Sequence, residues 1–280
     1  MIVNWLIESD TFSDIDGLTN EITRQGHAFK ILSDRNYWDR HWSTLFDPKD
    51  CVIYYGGLEL GYMLRREAPW VPGVYTTLEN YDCHYYYPRF GKYLLNQNYA
   101  IIPYGELERR MDWIYEHFGI DDTIFIRPDR GNKIFTGKAI YKERFIHELP
   151  LLGFYKLKPE ELCIVCEPRN VRKEWRFLIV DGQIITGSEY RPDKVCVDVT
   201  SIHDDAQIAY RVAQEALRDN EYNPDRAWSL DICKTEAGNF YVLEVGCFSS
   251  AGLYAMDNAR VVEAVSRVAL EDWKEIYESV

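Results

Sequence analysis

The order of strands and helices along the chain constrains its fold more than any other feature of the sequence. In the first 80 residues, apolar segments of strand length alternate with amphipathic helices. MIVNWLI, HAFKILS, CVIYYGG and GVYTT are predicted strands, and residues 13–26 and 58–67 are predicted helices. Strand–helix–strand units of this size favour parallel pairing with right-handed crossovers. The sequence therefore predicts an N-terminal α/β domain built on a parallel sheet.

The remainder of the chain follows a different pattern, in which hairpins are interleaved with helices. Asp181-Gly182, a type I′ turn signal, joins the predicted strands WRFLIV and QIITGSEYR, and a second hairpin joins WSLDICKT to FYVLEVG. Residues 80–104 are predicted to be a connector with a short helix around Lys92. The other predicted elements are helices at 105–118, 142–152, 204–218 and from Asn258 onward, and strands at DTIFIRPD, around Lys138 and at LCIVCEP. This part of the chain is therefore predicted to be α+β.

The charge balance restricts the class of ligand. The chain has 280 residues and a net charge of −13, which disfavours a general nucleic-acid-binding protein. Residues 127–194 nevertheless hold 14 Lys/Arg against 10 Asp/Glu. A basic segment within an acidic protein indicates a site for a small anion such as a nucleotide, or else a chance fluctuation on a solvated surface. No apolar run reaches the roughly 20 residues of a membrane helix and the N-terminus lacks a secretory signal, so we expect a cytoplasmic protein that contacts no membrane.

Two carboxylates in the last hairpin form the strongest candidate site. Asp231 lies on one strand and Glu244 on its partner, thirteen residues later. A hairpin of this size brings both side chains to one end of the sheet, where their charges repel each other unless a cation is present. Hard oxygen ligands of this kind suit Mg²⁺. The alternative is an edge hairpin whose acidic side chains face water.

Two further segments have the composition of a nucleotide site. In IFIRPDRGNKIFTGKAI, a strand ending in Arg127 is followed by a glycine-bearing loop and then by Lys138, which together can lay backbone amides and positive charge over phosphates. A GxxxxGK[ST] phosphate loop is absent, and a surface hairpin with scattered basic residues is the alternative. In CIVCEPRNVRKEW, Glu167 and Glu174 flank a polar loop between two strands and can face an adenine and a ribose.

Taken in this order, the three segments resemble the ATP-grasp superfamily, and most of all its clade of uncharacterised predicted ligases from phages and bacteria. The resemblance extends over residues 88–260 or so. It implies an α/β domain of the kind that precedes ATP-grasp folds over residues 1–88, followed by an ATP-grasp domain of two α+β subdomains over residues 89–280. The lid-like subdomain is expected near 105–166 and the C-terminal subdomain near 167–280.

The resemblance also implies roles for particular residues. Some would contact the ATP phosphates beneath a closing loop that ends at Gly137, others would mark the adenine hinge or bind the ribose, and two arginines would approach the transferred phosphate or the acidic substrate. The implied ATP-binding residues are Lys92, Arg127, Gly131, Lys138, Glu167 and Glu174, and the implied catalytic residues are Arg176 and Arg191. Asp231 and Glu244 match the two carboxylates that bind Mg²⁺ in the family.

Three positions depart from the pattern of the family. Arg127 stands where a lysine usually precedes the proline, and its planar fork does not reproduce a compact ammonium group. Gly246 stands where an asparagine is usual, which removes a ligand for a second Mg²⁺ unless Ser249, Ser250 or a water replaces it. Ser229 occupies a position that is often arginine.

The reaction that the resemblance implies is carboxylate–amine ligation. A substrate carboxylate attacks the γ-phosphate of ATP to form an acylphosphate, and an amine then displaces phosphate to give an amide, ADP and inorganic phosphate. An amino acid or a peptide is the expected substrate. The rival functions are a kinase on the same scaffold and a non-catalytic nucleotide-binding module.

Three weaker signals have simpler explanations. Gly56-Gly57 ahead of a helix can receive an anion, but a plain turn is the better explanation. His84 in DCHYYYP is more consistent with packing among tyrosines than with metal ligation. Cys163 and Cys166 lie three apart on a predicted strand, so their side chains point to opposite faces, and we expect core packing instead of a shared metal.

Overall fold

Three β-sheets and seven helices make up the part of the chain that the computed structural model describes, namely residues 1–9, 11–12, 15–32, 42–132, 134–153, 157–197 and 204–278. The helices are α1 (Asp16–Arg24), α2 (Leu58–Glu67), α3 (Cys83–Phe90), α4 (Met111–Phe118), α5 (Phe145–Glu148), α6 (Asp204–Arg218) and α7 (Asn258–Tyr277). The strands are β1 (Asn4–Glu8), β2 (Ala28–Leu32), β3 (Cys51–Tyr55), β4 (Val71–Gly73), β5 (Tyr99–Pro103), β6 (Thr123–Pro128), β7 (Lys138–Tyr141), β8 (Leu162–Cys166), β9 (Val171–Val180), β10 (Gln183–Arg191), β11 (Val195–Cys196), β12 (Ala227–Thr235) and β13 (Phe240–Cys247). None of these helices is both long enough and apolar enough to cross a membrane.

The first sheet confirms the α/β pattern predicted for the N-terminal residues. Its strand order is β2-β1-β3-β4, and all three neighbouring pairs are parallel. The fourth strand lies slightly earlier than the predicted GVYTT, because the chain leaves the sheet after Gly73. There Tyr75 pairs with the C-terminal part of the molecule: its N–H donates to Ser249 Oγ at 3.0 Å, and Ser249 N–H donates to the Tyr75 carbonyl at 3.4 Å.

Residues 80–104 contain more regular structure than the sequence predicts. A single 3₁₀ turn surrounds Lys92, but the main helix is α3, which precedes it, and β5 follows it. α3 forms where a connector is predicted because Cys83, Tyr86, Tyr87 and Phe90 recur at helical spacing and are all buried. The aromatic cluster around His84 is therefore one face of a buried helix.

The second sheet, which we call the lid sheet, has the order β5-β8-β6-β7 with antiparallel neighbours. It includes β5, so it begins at Tyr99. The strands predicted at residues 121–128, around Lys138 and at 161–168 are confirmed, and Cys163 and Cys166 are fully buried in β8 as expected. α4 is shorter than its predicted range and ends before Gly119.

The third sheet is the central one and carries the candidate site. Its order is β11-β10-β9-β12-β13, with β9 and β12 at its centre, and both predicted hairpins are present. Successive residues of β9 face opposite sides. Trp175, Phe177 and Ile179 pack in a core with residues of α6, whereas Leu178 and Val180 pack in a core with residues of α7 and the N-terminal sheet. The side that α7 covers at one end of β9 is therefore open to form a site at the other end.

A turn beside β3 gives a first testable prediction. The Glu8 carboxylate accepts hydrogen bonds from the Tyr54 hydroxyl at 2.7 Å and from Gly57 N–H, and a Cβ added at Gly56 would lie 2.4 Å from Tyr54 Oη and 2.5 Å from Glu8 Cβ. We expect Gly56→Ala to lower the free energy of unfolding by about 1–3 kcal/mol, measured by urea denaturation.

The matched control is Gly17→Ala in α1. An added Cβ there meets only the amide nitrogen of Asn258 within 3 Å, and this flexible side chain can turn away. Because alanine favours a helix over glycine by about 1 kcal/mol, this variant should be as stable as the wild type or more so. Equal stabilities of the two variants would contradict the assignment of the tight turn.

Candidate active site

Three charged side chains form a row across the central sheet. Asp231 on β12 is paired in register with Arg176 on β9 and with Glu244 on β13. Directly paired residues of antiparallel strands project from the same face of a sheet. Glu174 lies two residues before Arg176 on β9 and therefore projects from this face as well. The sheet thus brings the two predicted metal carboxylates together.

Two β-bulges adjust the side chains around this row. On β10 the extra residue is Tyr190, which lies between the residues Glu189 and Arg191 that pair with β9. On β13 the extra residue is Leu243, next to Glu244. A bulge re-aims the side chains beside it. Both extra residues consequently line the cavity above the row.

Hydrogen bonds join these side chains into a continuous network. Arg176 donates to both oxygens of Asp231, from Nε to Oδ1 at 2.8 Å and from Nη2 to Oδ2 at 2.7 Å. The Tyr190 hydroxyl lies 3.0 Å from Asp231 Oδ2 and 2.7 Å from Glu174 Oε2. Arg191 Nη1 donates to Glu174 Oε1 at 2.7 Å. The network therefore runs from Arg176 to Arg191 through two carboxylates and a phenol.

Glu244 connects the row to the lid sheet. Its Oε2 accepts a hydrogen bond at 3.3 Å from Nη2 of Arg127, near the end of β6, and its Oε1 lies 4.0 Å from Nη2 of Arg176. The Glu244 side chain is 19% exposed, whereas Asp231 is 1% exposed. The two carboxylates thus differ in access: Glu244 borders the cavity, and Asp231 lies beneath it.

Burial dominates the electrostatics of the row. Burial raises the pKa of Asp231, and the Arg176 guanidinium opposes this change. Burial, and after it the Asp231 carboxylate, also raises the pKa of Tyr190 far above its ordinary value, so this hydroxyl remains a hydrogen-bond donor at neutral pH. The arginine fork is therefore what keeps a negative charge at Asp231 compatible with its burial.

A cavity of about 690 Å³ lies between the lid sheet and the central sheet. Its volume falls in the range of about 300–1,000 Å³ that is usual for small-molecule sites. Residues of β6, of the segment before β7, of the hinge between β8 and β9, and of the charged row surround it. The lining residues are Leu95, Asn96, Phe125, Arg127, Pro128, Phe135, Thr136, Gly137, Arg169, Asn170, Val171, Glu174, Tyr190, Arg191, Glu236, Leu243 and Glu244.

The carboxylates of the row suit Mg²⁺. Asp231 and Glu244 are cross-strand neighbours and offer only oxygen atoms, the ligands that this ion prefers. Arg176 and Tyr190 make three contacts with the Asp231 carboxylate, which has about four lone-pair positions. A cation at Asp231 therefore has to share this carboxylate with Arg176 or displace it.

Most of the residues predicted from the sequence meet at this cavity. Arg127, Glu174, Arg191 and Glu244 line it, while Arg176 and Asp231 lie directly beneath, in the same network. The loop predicted to close over the phosphates contributes Phe135, Thr136 and Gly137 to the lining, and its Lys133 lies outside the described residues.

The structure does not bring four other predicted residues to the cavity lining. Lys92 is exposed and pairs with Asp219 at 3.0 Å, because the 3₁₀ turn after α3 points it towards the end of α6. Lys138 pairs with Glu148 at 2.8 Å. Gly131 packs against Tyr81, and its N–H donates to Asp82 at 3.1 Å. Glu167 lies beside the hinge and pairs with Arg169 at 2.7 Å.

Two departures from the family pattern, Gly246 and Ser229, face each other. They are direct partners across β12 and β13, and Ser229 Oγ donates to the Gly246 carbonyl at 3.2 Å. Ser229 is 2% exposed. Ser249 is engaged with Tyr75, and the hydroxyl of Ser250 is buried outside the cavity lining. The asparagine that Gly246 lacks is therefore replaced by a closely packed serine–glycine pair.

This packing predicts that restoring the asparagine is costly. A Cβ at Gly246 would lie 2.8 Å from Ser229 Oγ. We expect Gly246→Asn to lower the free energy of unfolding by about 1–3 kcal/mol, because it overpacks a buried contact. Adding Ser229→Gly to this variant frees the space and should recover most of the loss in urea denaturation. A Gly246→Asn variant as stable as the wild type would contradict this interpretation.

The sequence did not single out several lining residues. Tyr190 and Leu243 enter the site through β-bulges, which depend on strand register. Asn96 and Phe125 come from elements whose relative placement depends on the fold. Tyr190 gave one usable signal, since it immediately precedes the predicted Arg191 in the hairpin strand.

The weaker sequence signals lie elsewhere in the molecule. The N–H of Gly57 does receive a carboxylate, but it belongs to Glu8 of the same chain. His84 Nδ1 lies 2.6 Å from Asp129 Oδ2, and together with Asp82 these residues form a group with metal-ligand spacing. The internal hydrogen bonds of this group, to His84 and to the N–H of Gly131, account for its position at the start of the loop before β7.

Comparison with known proteins agrees with this architecture. A family model that describes an ATP-grasp domain, the second family of its clade, matches residues 109–264. A search of curated proteins found no match. Among solved structures, the D-cycloserine synthetase DcsG is 12% identical with a TM-score of 0.63, and the alignment covers 96% of this chain and 100% of that one.

Two further structures are similar in fold. The ATP-grasp ligase PsnB, complexed with precursor peptide PsnA2 and AMPPNP, is 11% identical with a TM-score of 0.57, and the alignment covers 95% of this chain and 97% of that one. D-Alanine–D-alanine ligase from Bacillus anthracis, complexed with ATP, is 11% identical with a TM-score of 0.58 and coverages of 98% and 99%. At these identities the likeness establishes the fold.

Proposed function

Because the chain belongs to the ATP-grasp family, we propose that it is an ATP- and Mg²⁺-dependent ligase that joins a carboxylate to an amine. The observation that carries this proposal is the row of Arg176, Asp231 and Glu244 beneath a cavity of nucleotide size. A cation-binding carboxylate pair next to an arginine fork is suited to hold a polyphosphate and to stabilise its transferred group.

The lining residues suggest how ATP lies in the cavity. The hinge at Arg169, Asn170 and Val171 borders one part, where backbone groups can meet the adenine. Glu174 is placed to accept hydrogen bonds from the ribose hydroxyls, and Arg127 is placed to contact the phosphates from the lid sheet. Asp231 and Glu244 would hold Mg²⁺, which when bound neutralises phosphate charge.

The residues of the row support a two-step reaction. In the first step, a carboxylate oxygen of the substrate forms a bond to the γ-phosphorus and the bond to the β-phosphate oxygen breaks, which releases ADP. In the second step, an amine attacks the acyl carbon, inorganic phosphate leaves and the nitrogen loses a proton. Arg176 and Arg191 would stabilise the charge on the transferred group, and the segment 134–137 would keep water from the acylphosphate.

An amino acid or a peptide is our proposed source of the carboxylate and of the amine. The similar structures include a D-alanine–D-alanine ligase and a ligase in complex with a precursor peptide. The basic side chains at the cavity, Arg127 and Arg191, suit a substrate that carries a carboxylate. Lys92 and Lys138 have partners outside the cavity lining, so we assign them no part in this proposal.

The test is to measure ADP and phosphate release from Mg-ATP with pooled amino acids and short peptides, with mass spectrometry of every pool. The proposal expects ADP release that depends on an amine, together with a product lighter by one water than its two parts. A phosphorylated product would replace the proposal with a kinase. Mg-ATP binding by calorimetry without turnover in any pool would replace it with a nucleotide-binding module, and absence of binding would overturn the ATP site.

A further inference from the structure

The hydroxyl of Tyr190 lies between two carboxylates that have different functions in the proposed site. It is 2.7 Å from Glu174 Oε2, at the ribose end, and 3.0 Å from Asp231 Oδ2, at the metal end. Each carboxylate also has an arginine partner, namely Arg191 for Glu174 and Arg176 for Asp231. Tyr190 therefore bridges the two ends of the cavity.

A phenol carries one proton, so Tyr190 donates to one of these carboxylates at a time. The ring itself is held in place: it stacks on Tyr254 with centroids 4.7 Å apart and planes 9° apart, and the Arg176 guanidinium carbon lies 5.3 Å from its centroid. Rotation of the hydroxyl is therefore the available response when one of the two carboxylates gains a new partner.

We propose that Tyr190 is a positioning residue that couples binding of the ribose hydroxyls to binding of the metal ion. The inference rests on the ATP site proposed above. A cation at Asp231 occupies a lone pair that Tyr190 otherwise contacts, and the phenolic proton then turns to Glu174. Because the other partner of Glu174, Arg191, has a side chain that is 60% exposed, this hydrogen bond is what fixes the carboxylate for the ribose. By reciprocity, ribose hydroxyls on Glu174 strengthen metal binding.

The test compares Mn²⁺ affinity in two nucleotide complexes. ADP and 2′,3′-dideoxy-ADP carry the same phosphates, so direct contact of the metal with phosphate cancels in the ratio of their Mn²⁺ dissociation constants, measured by electron paramagnetic resonance. In the wild type we expect dideoxy-ADP to weaken Mn²⁺ binding by about fivefold, a typical size for coupled sites. In Tyr190→Phe, which keeps the ring and removes the hydroxyl, the ratio should fall to about one.

Tyr254→Phe is the matched control, because it removes a phenolic oxygen from the other ring of the same stack and should keep the wild-type ratio. A wild-type ratio of one, or the same ratio above one in the wild type and in Tyr190→Phe, would overturn the inference, and the first of these outcomes decides even if Tyr190→Phe does not fold. Failure of the wild type to bind ADP would remove the proposed function as well. ADP binding without an effect of the ribose hydroxyls would remove only the role of Tyr190.

Discussion

Replacing Asp231 with asparagine is expected to abolish Mg²⁺-dependent ATP binding and to lower ADP release by about 10²–10³-fold, the usual effect of losing one preorganised electrostatic contact. The amide lacks the negative charge that holds the cation. It also turns an NH₂ group towards Arg176, whose Nε and Nη2 each donate to an Asp231 oxygen at 2.8 and 2.7 Å. Calorimetry with Mg-ATP and an ADP-release assay measure the two effects.

The same substitution should also destabilise the fold. It leaves the buried Arg176 without its charged partner, and breaking a buried ion pair costs about 3–5 kcal/mol. Glu244→Gln separates the two effects: the Glu244 side chain is 19% exposed, so this variant should lose metal binding at a smaller cost in unfolding free energy. An Asp231→Asn variant that binds Mg-ATP with wild-type affinity would show that the metal site lies elsewhere.

Replacing Arg176 with methionine is expected to have an effect of similar size on turnover, about 10²–10³-fold, because the transferred phosphate loses its fork of donors. Arg176→Lys keeps the charge but not the paired geometry, since Asp231 receives two parallel hydrogen bonds from the guanidinium. Its activity should therefore lie between those of the wild type and the methionine variant. Arg172→Met is the matched control, because Arg172 is on the same strand, exposed and outside the cavity lining.

The Arg176→Met variant should also show a distinct dependence of stability on pH. Burial already raises the pKa of Asp231, and Arg176 is the main group that opposes this change. Without the arginine the pKa of the folded state rises further above that of the unfolded state, so the folded protein binds more protons than the unfolded one in this pH window. Stability is then lost as the pH rises. Urea denaturation should show a greater loss of stability relative to the wild type at neutral pH than at mildly acidic pH, and an equal loss at both would contradict the Arg176–Asp231 assignment.

Local periodicity was sufficient to predict most of the elements around the site. The predicted hairpins of the central sheet are present because their apolar residues pack on both faces and their turns have suitable residues, such as Asp181-Gly182, both at positive φ. The pair Asp231 and Glu244 could be predicted because both belong to one hairpin, so their separation depends on a short stretch of chain. The α3 helix was missed because its buried face is aromatic, and Tyr85-Tyr86-Tyr87 has no strong helix propensity of its own.

The sequence by itself determined the class of the protein: an N-terminal parallel sheet, a following α+β region, and an acidic hairpin next to a basic segment. Tertiary structure decided which charged residues meet. Arg176 and Arg127 reach the carboxylates from β9 and β6, which are distant in the chain, whereas Lys92 pairs with Asp219 on the surface. It also decided the place of Tyr190, since a β-bulge depends on the register between two strands. Periodicity reports which face of an element is buried, but the contacts between elements depend on how the sheets pack together.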